Sequence, residues 1–147
     1  MSCHMSCHWS IPLSLAVVVA AATFESAGQD GDQTDQARNC VDVMRIDRTE
    51  VVDDDTVLFY MRTGDVYRNE LRNSCPTLGF EERFMYRTAL SQLCDIDVIT
   101  VIRDVGFGFL PTASCGLGKF EPITESTADE LIRTAEQRSS QQDGDRR

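Results

Sequence analysis

The most β-prone run outside the N-terminal region is Leu93-Cys94-Asp95-Ile96-Asp97-Val98-Ile99-Thr100-Val101-Ile102. In an extended segment, alternate side chains share a face, and from Val98 to Ile102 both faces are apolar. This pattern is typical of a strand in the interior of a sheet. A helix is disfavoured, because each Val or Ile loses χ1 freedom in a helix. We therefore interpret the run as the central strand of the domain.

The N-terminal region has the features of an export signal. Residues 11–22 form an apolar run of signal-peptide length, which is short for a membrane span, and polar, acidic sequence follows it. Because Ala20-Ala21-Ala22 supplies the small residues that a signal peptidase reads, we predict a signal peptide over residues 1–22. The sequence Met-Ser-Cys-His occurs twice, so Met5 is an alternative start. A short anchor helix or a buried N-terminal helix is the competing interpretation.

Four cysteines follow the predicted signal peptide. An even number of cysteines in an exported chain of this length indicates disulfides, and four cysteines allow three pairings among which the sequence does not choose. A four-cysteine zinc site would need ligand pairs at short spacing, and these residues are widely spaced. We predict two disulfides, of unknown pairing, among Cys40, Cys75, Cys94 and Cys115.

The charge of the chain restricts its partners. The formal net charge is −10 at pH 7, and no basic patch stands out along the sequence. Binding to a phosphate backbone requires such a patch, so we predict no nucleic-acid partner, and anionic membrane surfaces are disfavoured for the same reason. No transmembrane anchor is predicted in the mature chain, and no cofactor motif is present.

The remaining sequence predicts a small domain with irregular ends. Residues 23–39 are nearly free of apolar side chains and predict a disordered leader. Two β runs flank the acidic turn Asp53-Asp54-Asp55, which predicts a hairpin in which Asp54 or Asp55 accepts a hydrogen bond from a backbone amide two residues on. Residues 80–93 fit either a helix or a strand, and a strand is slightly favoured.

The C-terminal end is predicted to be helical. Thr127 and Glu130 form a capping box, and an apolar stripe follows, which together predict a helix over residues 128–138. Residues 139–147 are polar and predict a disordered tail. The domain is thus expected to span residues 40–138. Its predicted fold is mainly β, with α+β as an alternative: a small antiparallel sheet or partly open barrel of five to six short strands, a C-terminal helix and two disulfides.

The catalytic chemistry open to the mature chain is limited. The only histidines, His4 and His8, fall in the predicted signal peptide. Their removal excludes Ser–His and Cys–His nucleophile pairs, histidine bases and histidine metal ligands. Oxidised cysteines would leave no thiolate nucleophile. Carboxylates are the main groups that remain.

Three carboxylates are candidates for a cation site or an acid/base pair. Asp95 and Asp97 are two residues apart, so they face the same side of a strand, and Asp53 is a candidate third member. The competing interpretation is structural: Asp95 caps the turn after Cys94, and Asp97 begins the strand.

Several short motifs follow one another along the chain: Cys40, Val52-Asp53-Asp54, Tyr67-Arg68-Asn69-Glu70-Leu71, Cys75-Pro76-Thr77-Leu78, Leu93-Cys94 and Cys115-Gly116-Leu117-Gly118-Lys119-Phe120. Their order resembles that in a bacterial family of small exported proteins of uncharacterised role, domain-of-unknown-function family 6491. The resemblance covers about residues 40–131, and the cysteine spacing and the Cys-x-Leu-Gly-x-Phe ending are its most specific parts. It implies an envelope protein with disulfides and supplies no catalytic residues. Many similar proteins carry a lipobox, which this chain lacks.

The sequence therefore favours an exported, non-enzymatic module that is periplasmic or secreted and has a binding or structural role in the envelope. Its expected partner is an envelope protein or a small molecule. The alternative is a carboxylate-based hydrolase or cation-binding protein that uses Asp53, Asp95 and Asp97.

Overall fold

The structure, a computed structural model, describes residues 36–88 and 90–145. The predicted signal peptide and most of the predicted leader lie outside these residues. The elements in chain order are β1 (Cys40–Asp42), a 3-10 turn (Val43–Arg45), β2 (Ile46–Val51), β3 (Thr56–Met61), β4 (Val66–Glu70), α1 (Leu78–Glu81), β5 (Phe84–Tyr86), β6 (Gln92–Cys94), β7 (Val98–Asp104), β8 (Phe109–Gly116), β9 (Phe120–Ile123) and α2 (Glu125–Asp145). No helix in the described part of the chain is long and apolar enough to span a bilayer.

All strand pairs are antiparallel, and the strands form three sheets. The largest has the order β2-β3-β4-β9, the second has the order β5-β7-β8, and β1 pairs with β6. The predicted mainly β fold with a C-terminal helix and two disulfides is confirmed, and the described residues form no closed barrel. The nine strands seen in these residues exceed the five to six predicted. The additional strands, such as β1, β5 and β6, have three residues each, which is too short for alternation to reveal them.

The hairpin around the acidic turn is confirmed. β2 and β3 pair from Val51 opposite Val57, and the amide of Val52 donates to the carbonyl of Thr56 at 3.0 Å. Within the turn, the amide of Asp55 donates to Oδ1 of Asp53 at 3.0 Å. The hairpin is as the sequence predicts, but Asp53, rather than Asp54 or Asp55, accepts from the amide two residues on, because its short acidic side chain lies where the ladder ends.

The strand buried on both faces is β3. On one face, Val57, Phe59 and Met61 belong to the main core, which the four-stranded sheet forms together with the other two sheets and α1. On the other face, Leu58 and Tyr60 pack against α2. The four-stranded sheet is thus the middle layer of the domain.

The strand β7 differs in part from the prediction. It lies between β5 and β8, as expected for a central strand. Ile99 and Val101 are fully buried in the main core, but Val98 on the other face is 52% exposed, so the expected burial of both faces is wrong. The physical reason is that one layer packs on the β5-β7-β8 sheet, whereas the four-stranded sheet has a layer on each side.

The segment 80–93, which fitted either a helix or a strand, contains both. The single helical turn α1 is followed by β5 and then β6. Leu78 of α1 is fully buried in the main core, and the amide of Gly79 donates to Oδ1 of Asp54 at 2.8 Å. The acidic turn and α1 therefore hold each other in place.

Secondary structure extends beyond both predicted ends of the domain. Before Cys40, Arg38 forms an antiparallel bridge with Phe120. At the other end, α2 begins at Glu125 and continues to Asp145, past the predicted end at Arg138 and into the segment expected to be a disordered tail. Thr124 rather than Thr127 caps the helix, because its Oγ1 accepts a hydrogen bond from the amide of Thr127 at 3.2 Å.

Candidate functional site

The four cysteines form two disulfides that join separate parts of the fold. Cys40 pairs with Cys94, which lies directly opposite it in the β1–β6 ladder. Cys75, before α1, pairs with Cys115 of β8, and both are buried in the main core. The prediction of two disulfides is confirmed, and the pairing that the sequence left open is the interleaved one. No thiol of these residues is available as a nucleophile or a metal ligand.

Asp97 has a structural role in the turn between β6 and β7. Its Oδ2 accepts a hydrogen bond from the amide of Cys94 at 2.7 Å, and its own amide donates to the carbonyl of Cys94 at 2.9 Å. The sequence assigned the capping role to Asp95, but the structure gives it to Asp97. Asp95 contributes its backbone, since its carbonyl accepts from Nη2 of Arg72 at 2.7 Å. The two residues thus fix the turn beside the Cys40–Cys94 disulfide.

Asp53 lies in the β2–β3 turn and faces a different part of the molecule. Its Oδ1 is engaged by the amide of Asp55, and its Oδ2 lies 3.7 Å from Nη1 of Arg138 on α2. Neither Asp95 nor Asp97 lines the cleft beside Asp53. Among the described residues, no group of three or more His, Cys, Asp or Glu side chains is arranged to hold a metal ion. The structure thus brings Asp95 and Asp97 into one turn and leaves Asp53 elsewhere.

The cleft beside Asp53 is an open groove of about 620 Å³ between the acidic turn, α1 and the second half of α2. Asp53 and Asp54 are half-buried in its wall, and both carboxylates have backbone partners, so they serve the turn. Phe80 of α1 stands at the cleft and is 85% exposed. The groove therefore has an acidic wall and an aromatic one.

A buried polar contact joins two of the sequence motifs. Asn69 of β4 is fully buried, and its Nδ2 donates to the carbonyl of Gly118 at 2.8 Å. The amide of Gly118 donates in return to Oδ1 of Asn69 at 2.9 Å. A Cβ at Gly118 would lie 1.9 Å from the carbonyl oxygen of Glu70, so glycine is required for this close approach. Asn69 is not among the residues that the sequence predicts to be functional. The signal present in the sequence is a single polar residue on the face of β4 that packs on the core.

A row of polar side chains crosses the four-stranded sheet on the α2 side. Arg68 forms an ion pair with Glu121 at 2.5 Å, and the guanidinium of Arg48 lies 3.6 Å from the ring centroid of Tyr60. Burial and the neighbouring Glu50 carboxylate raise the pKa of Tyr60 to about 12. The charged side chains of this row remain partly exposed to solvent, which explains why they stay polar.

The end of the β7–β8 hairpin presents apolar side chains to solvent. Phe107 is 95% exposed, Phe109 60% and Leu110 52%. Three large apolar side chains exposed at one hairpin end form a candidate interaction surface. The structure thus places both phenylalanines of this hairpin on the surface.

Comparison of the chain with family models, with curated proteins and with solved structures returned no match. The resemblance to domain-of-unknown-function family 6491 therefore stays a prediction.

Proposed function

We propose that this chain is an exported module of the cell envelope or extracellular space, and that it acts by binding rather than by catalysis. The observation that carries the proposal is the pair of disulfides, Cys40–Cys94 and Cys75–Cys115, which engage every cysteine beyond residue 7. Disulfides form and persist in oxidising compartments and are rare in the bacterial cytosol. The apolar run of residues 11–22 supports the same compartment, since it supplies a signal peptide with predicted cleavage after Ala22.

A binding role is supported by the groups that the domain exposes. Residues 9–147 contain no histidine, and the carboxylates examined as an acid/base set are engaged in two separate turns. The most conspicuous exposed feature is instead the apolar end of the β7–β8 hairpin. Binding and catalytic residues tend to lie on loops held by a rigid scaffold, and this hairpin is held by a disulfide at Cys115.

The family resemblance supports the proposal in one further way. Its segments around Asn69 and Gly118 are far apart in sequence, and in the structure they meet through two hydrogen bonds. The motif residues thus act as structural residues of a stable scaffold. This agrees with a family that brings no catalytic residues.

The proposal is tested by intact mass of the full chain expressed in a bacterium and recovered from the periplasm or medium. We expect residues 23–147, lighter by the four hydrogens that two disulfides remove, and we expect a reductant to restore them. The matched control lacks residues 11–22, and it should stay in the cytosol with its cysteines reduced. Recovery of the unaltered chain from the cytosol, folded and with free thiols, would overturn the proposal.

A further inference from the structure

The β7–β8 hairpin ends in an apolar tip, defined here as residues 105–111. The amide of Val105 donates to the carbonyl of Gly108 at 3.0 Å, which closes a two-residue turn at Gly106 and Phe107. Gly106 has φ +83°, whereas Phe107 has no positive φ. A φ in this range favours glycine at the first position of the turn. Phe107 lies beside it at the apex of the hairpin.

The charges near the tip are neutralised. No charged residue occurs from Val105 to Gly118. Asp104, which lies opposite Phe109 in the ladder, accepts hydrogen bonds from the amide of Gly106 at 2.8 Å and from Nη1 of Arg83 at 3.3 Å. Arg103 pairs with Glu81 at 2.6 Å. The tip of this acidic chain therefore carries no net charge of its own.

Pairing of the tip with another strand is blocked at Pro111. β8 is an edge strand, and Pro111 lies opposite Ile102, whose amide donates at 3.0 Å to Arg83 on the far side of β7. Ile102 and Pro111 therefore form a non-hydrogen-bonded pair of the antiparallel ladder, in which the backbone N and C=O groups of each residue point away from the other. The nitrogen of Pro111 therefore faces the open edge and has no hydrogen to donate. The edge is thus protected against strand addition.

Self-association through the tip is disfavoured by its area. The exposed parts of Phe107, Phe109 and Leu110 amount to roughly 300–450 Å². A stable protein interface buries about 800 Å² on each partner. A convex tip of this size fits a partner that accepts a small apolar protrusion, and a lipid bilayer does so.

We propose that the tip inserts into the interfacial layer of a lipid bilayer, with Phe107 leading. Phe107 lies three residues beyond Asp104, at most about 10 Å along the chain, so Phe107 enters first. Phe109 and Leu110 lie level with the neutralised Asp104 and Arg103 in the ladder and follow it to the headgroup layer. Amphipathic elements that lie at this interface bury their apolar side to about 5–10 Å. Because the domain is acidic and the tip uncharged, zwitterionic lipid is preferred to anionic lipid. This inference deepens the proposed function, on which it rests for the membrane that the protein meets.

The experiment uses the exported, oxidised protein and vesicles of phosphatidylcholine. The variant Phe107→Trp places a fluorophore at the apex, and Phe80→Trp places one at a site of similar exposure on α1. We expect a blue shift of emission on vesicle addition for Phe107→Trp and none for Phe80→Trp, after subtraction of the signal of the unsubstituted protein. Equal shifts, or no shift at Phe107→Trp, would overturn the proposal.

A second measurement uses loss of binding. Phe107→Ser should reduce the partition coefficient for the same vesicles at least about tenfold in co-sedimentation, whereas Phe80→Ser should leave it unchanged. Replacing a third of the lipid by phosphatidylglycerol should weaken binding of the unsubstituted protein. Concentration-dependent dimerisation that Phe107→Ser abolishes, without any vesicle binding, would assign the tip to a second copy and overturn the proposal. If the vesicle experiments give the contrary result, the mass measurement of export and disulfides is unaffected. Failure of the membrane proposal can therefore be distinguished from failure of the proposed function.

Discussion

The side chain of Asn69 exchanges two hydrogen bonds with the backbone of Gly118, at 2.8 and 2.9 Å. Asn69 is fully buried, so both groups of its amide would be unsatisfied without this partner. The contact ties β4 to the segment between β8 and β9. It thereby joins the middle layer of the domain to the chain that leaves the Cys75–Cys115 disulfide.

Replacement of Gly118 by alanine should strongly destabilise the fold. The new Cβ would lie 1.9 Å from the carbonyl oxygen of Glu70, so the backbone must move and the Asn69 contact must open. We expect a loss of about 3 kcal/mol or more in the free energy of unfolding, measured in urea. Gly116→Ala is the matched control, because its Cβ would meet the flexible side chain of Arg72 at 3.3 Å. Equal losses for the two variants would contradict the close approach at Gly118.

Removal of the Asn69 side-chain amide should also destabilise the fold. Asn69→Ala removes the partner of the amide and carbonyl of Gly118, which are half-buried, and we expect a loss of about 1–3 kcal/mol. Asn73→Ala, on an exposed neighbour, should change stability by less than about 0.5 kcal/mol. Thermal unfolding of both variants measures the difference. An Asn69→Ala protein as stable as the unsubstituted one would show that the contact contributes little to the free energy of unfolding.

The two disulfides should contribute unequally. They close loops with sequence separations of 54 and 40 residues, for which loop-closure entropy predicts similar contributions of about 4 kcal/mol each. Cys75 and Cys115 are also buried in the core, whereas Cys40 is half-buried. The double substitution Cys75→Ala with Cys115→Ala should therefore cost more than Cys40→Ala with Cys94→Ala, because it also leaves a core cavity. Denaturant unfolding of both double variants decides this order, and the reverse order would argue against the cavity.

Stability should fall at alkaline pH because of Tyr60. Its pKa is raised to about 12 in the folded protein from an ordinary value of 10.0. Below pH 10 the phenol is neutral in both states, and between pH 10 and 12 the unfolded chain loses the proton while the folded protein keeps it. The free energy of unfolding should thus drop by about 2–3 kcal/mol over this range. Tyr60→Phe should lack this part of the decline, and parallel pH curves for the two proteins would contradict the shifted pKa.

The packing of α2 should depend on Ala128. This residue is fully buried against Leu58, Tyr60 and Val66 of the four-stranded sheet. Ala128→Gln should lift the helix from the sheet and cost about 1–3 kcal/mol by overpacking. Ala135→Gln is the control, since Ala135 is half-buried on the same helix and the helix propensity changes equally. Chemical denaturation of the two variants gives the comparison, and indistinguishable midpoints would show that α2 contributes no packing at Ala128.

The sequence predicted the fold class because the signals were local. The β2–β3 hairpin follows from two apolar runs around an acidic turn, and the disulfides follow from cysteine number. The layer arrangement was not predictable in this way. The apolar runs of β3 and β7 look alike in sequence, but only β3 has α2 on its second face, and this depends on the path of the C-terminal chain.

The other differences between the predictions from the sequence and the structure have related causes. The pairing of Cys40 with Cys94 is set by the β1–β6 ladder, whose strands have three residues each and no readable alternation. The length of α2 was underestimated because a polar sequence without an apolar stripe still continues a helix once one is nucleated. Among the candidate acids, Asp53 was correctly expected at a turn. The partner of Asn69 was not predictable, since Gly118 is distant in sequence.

The interleaving of the two disulfides has a consequence for the response of the domain to proteolytic cleavage. A cut between Cys40 and Cys75 leaves fragments linked by Cys40–Cys94, and a cut between Cys94 and Cys115 leaves them linked by Cys75–Cys115. A cut between Cys75 and Cys94 leaves both links in place. No single cleavage from residue 41 to residue 114 can therefore release a fragment, and a nicked molecule keeps all its pieces.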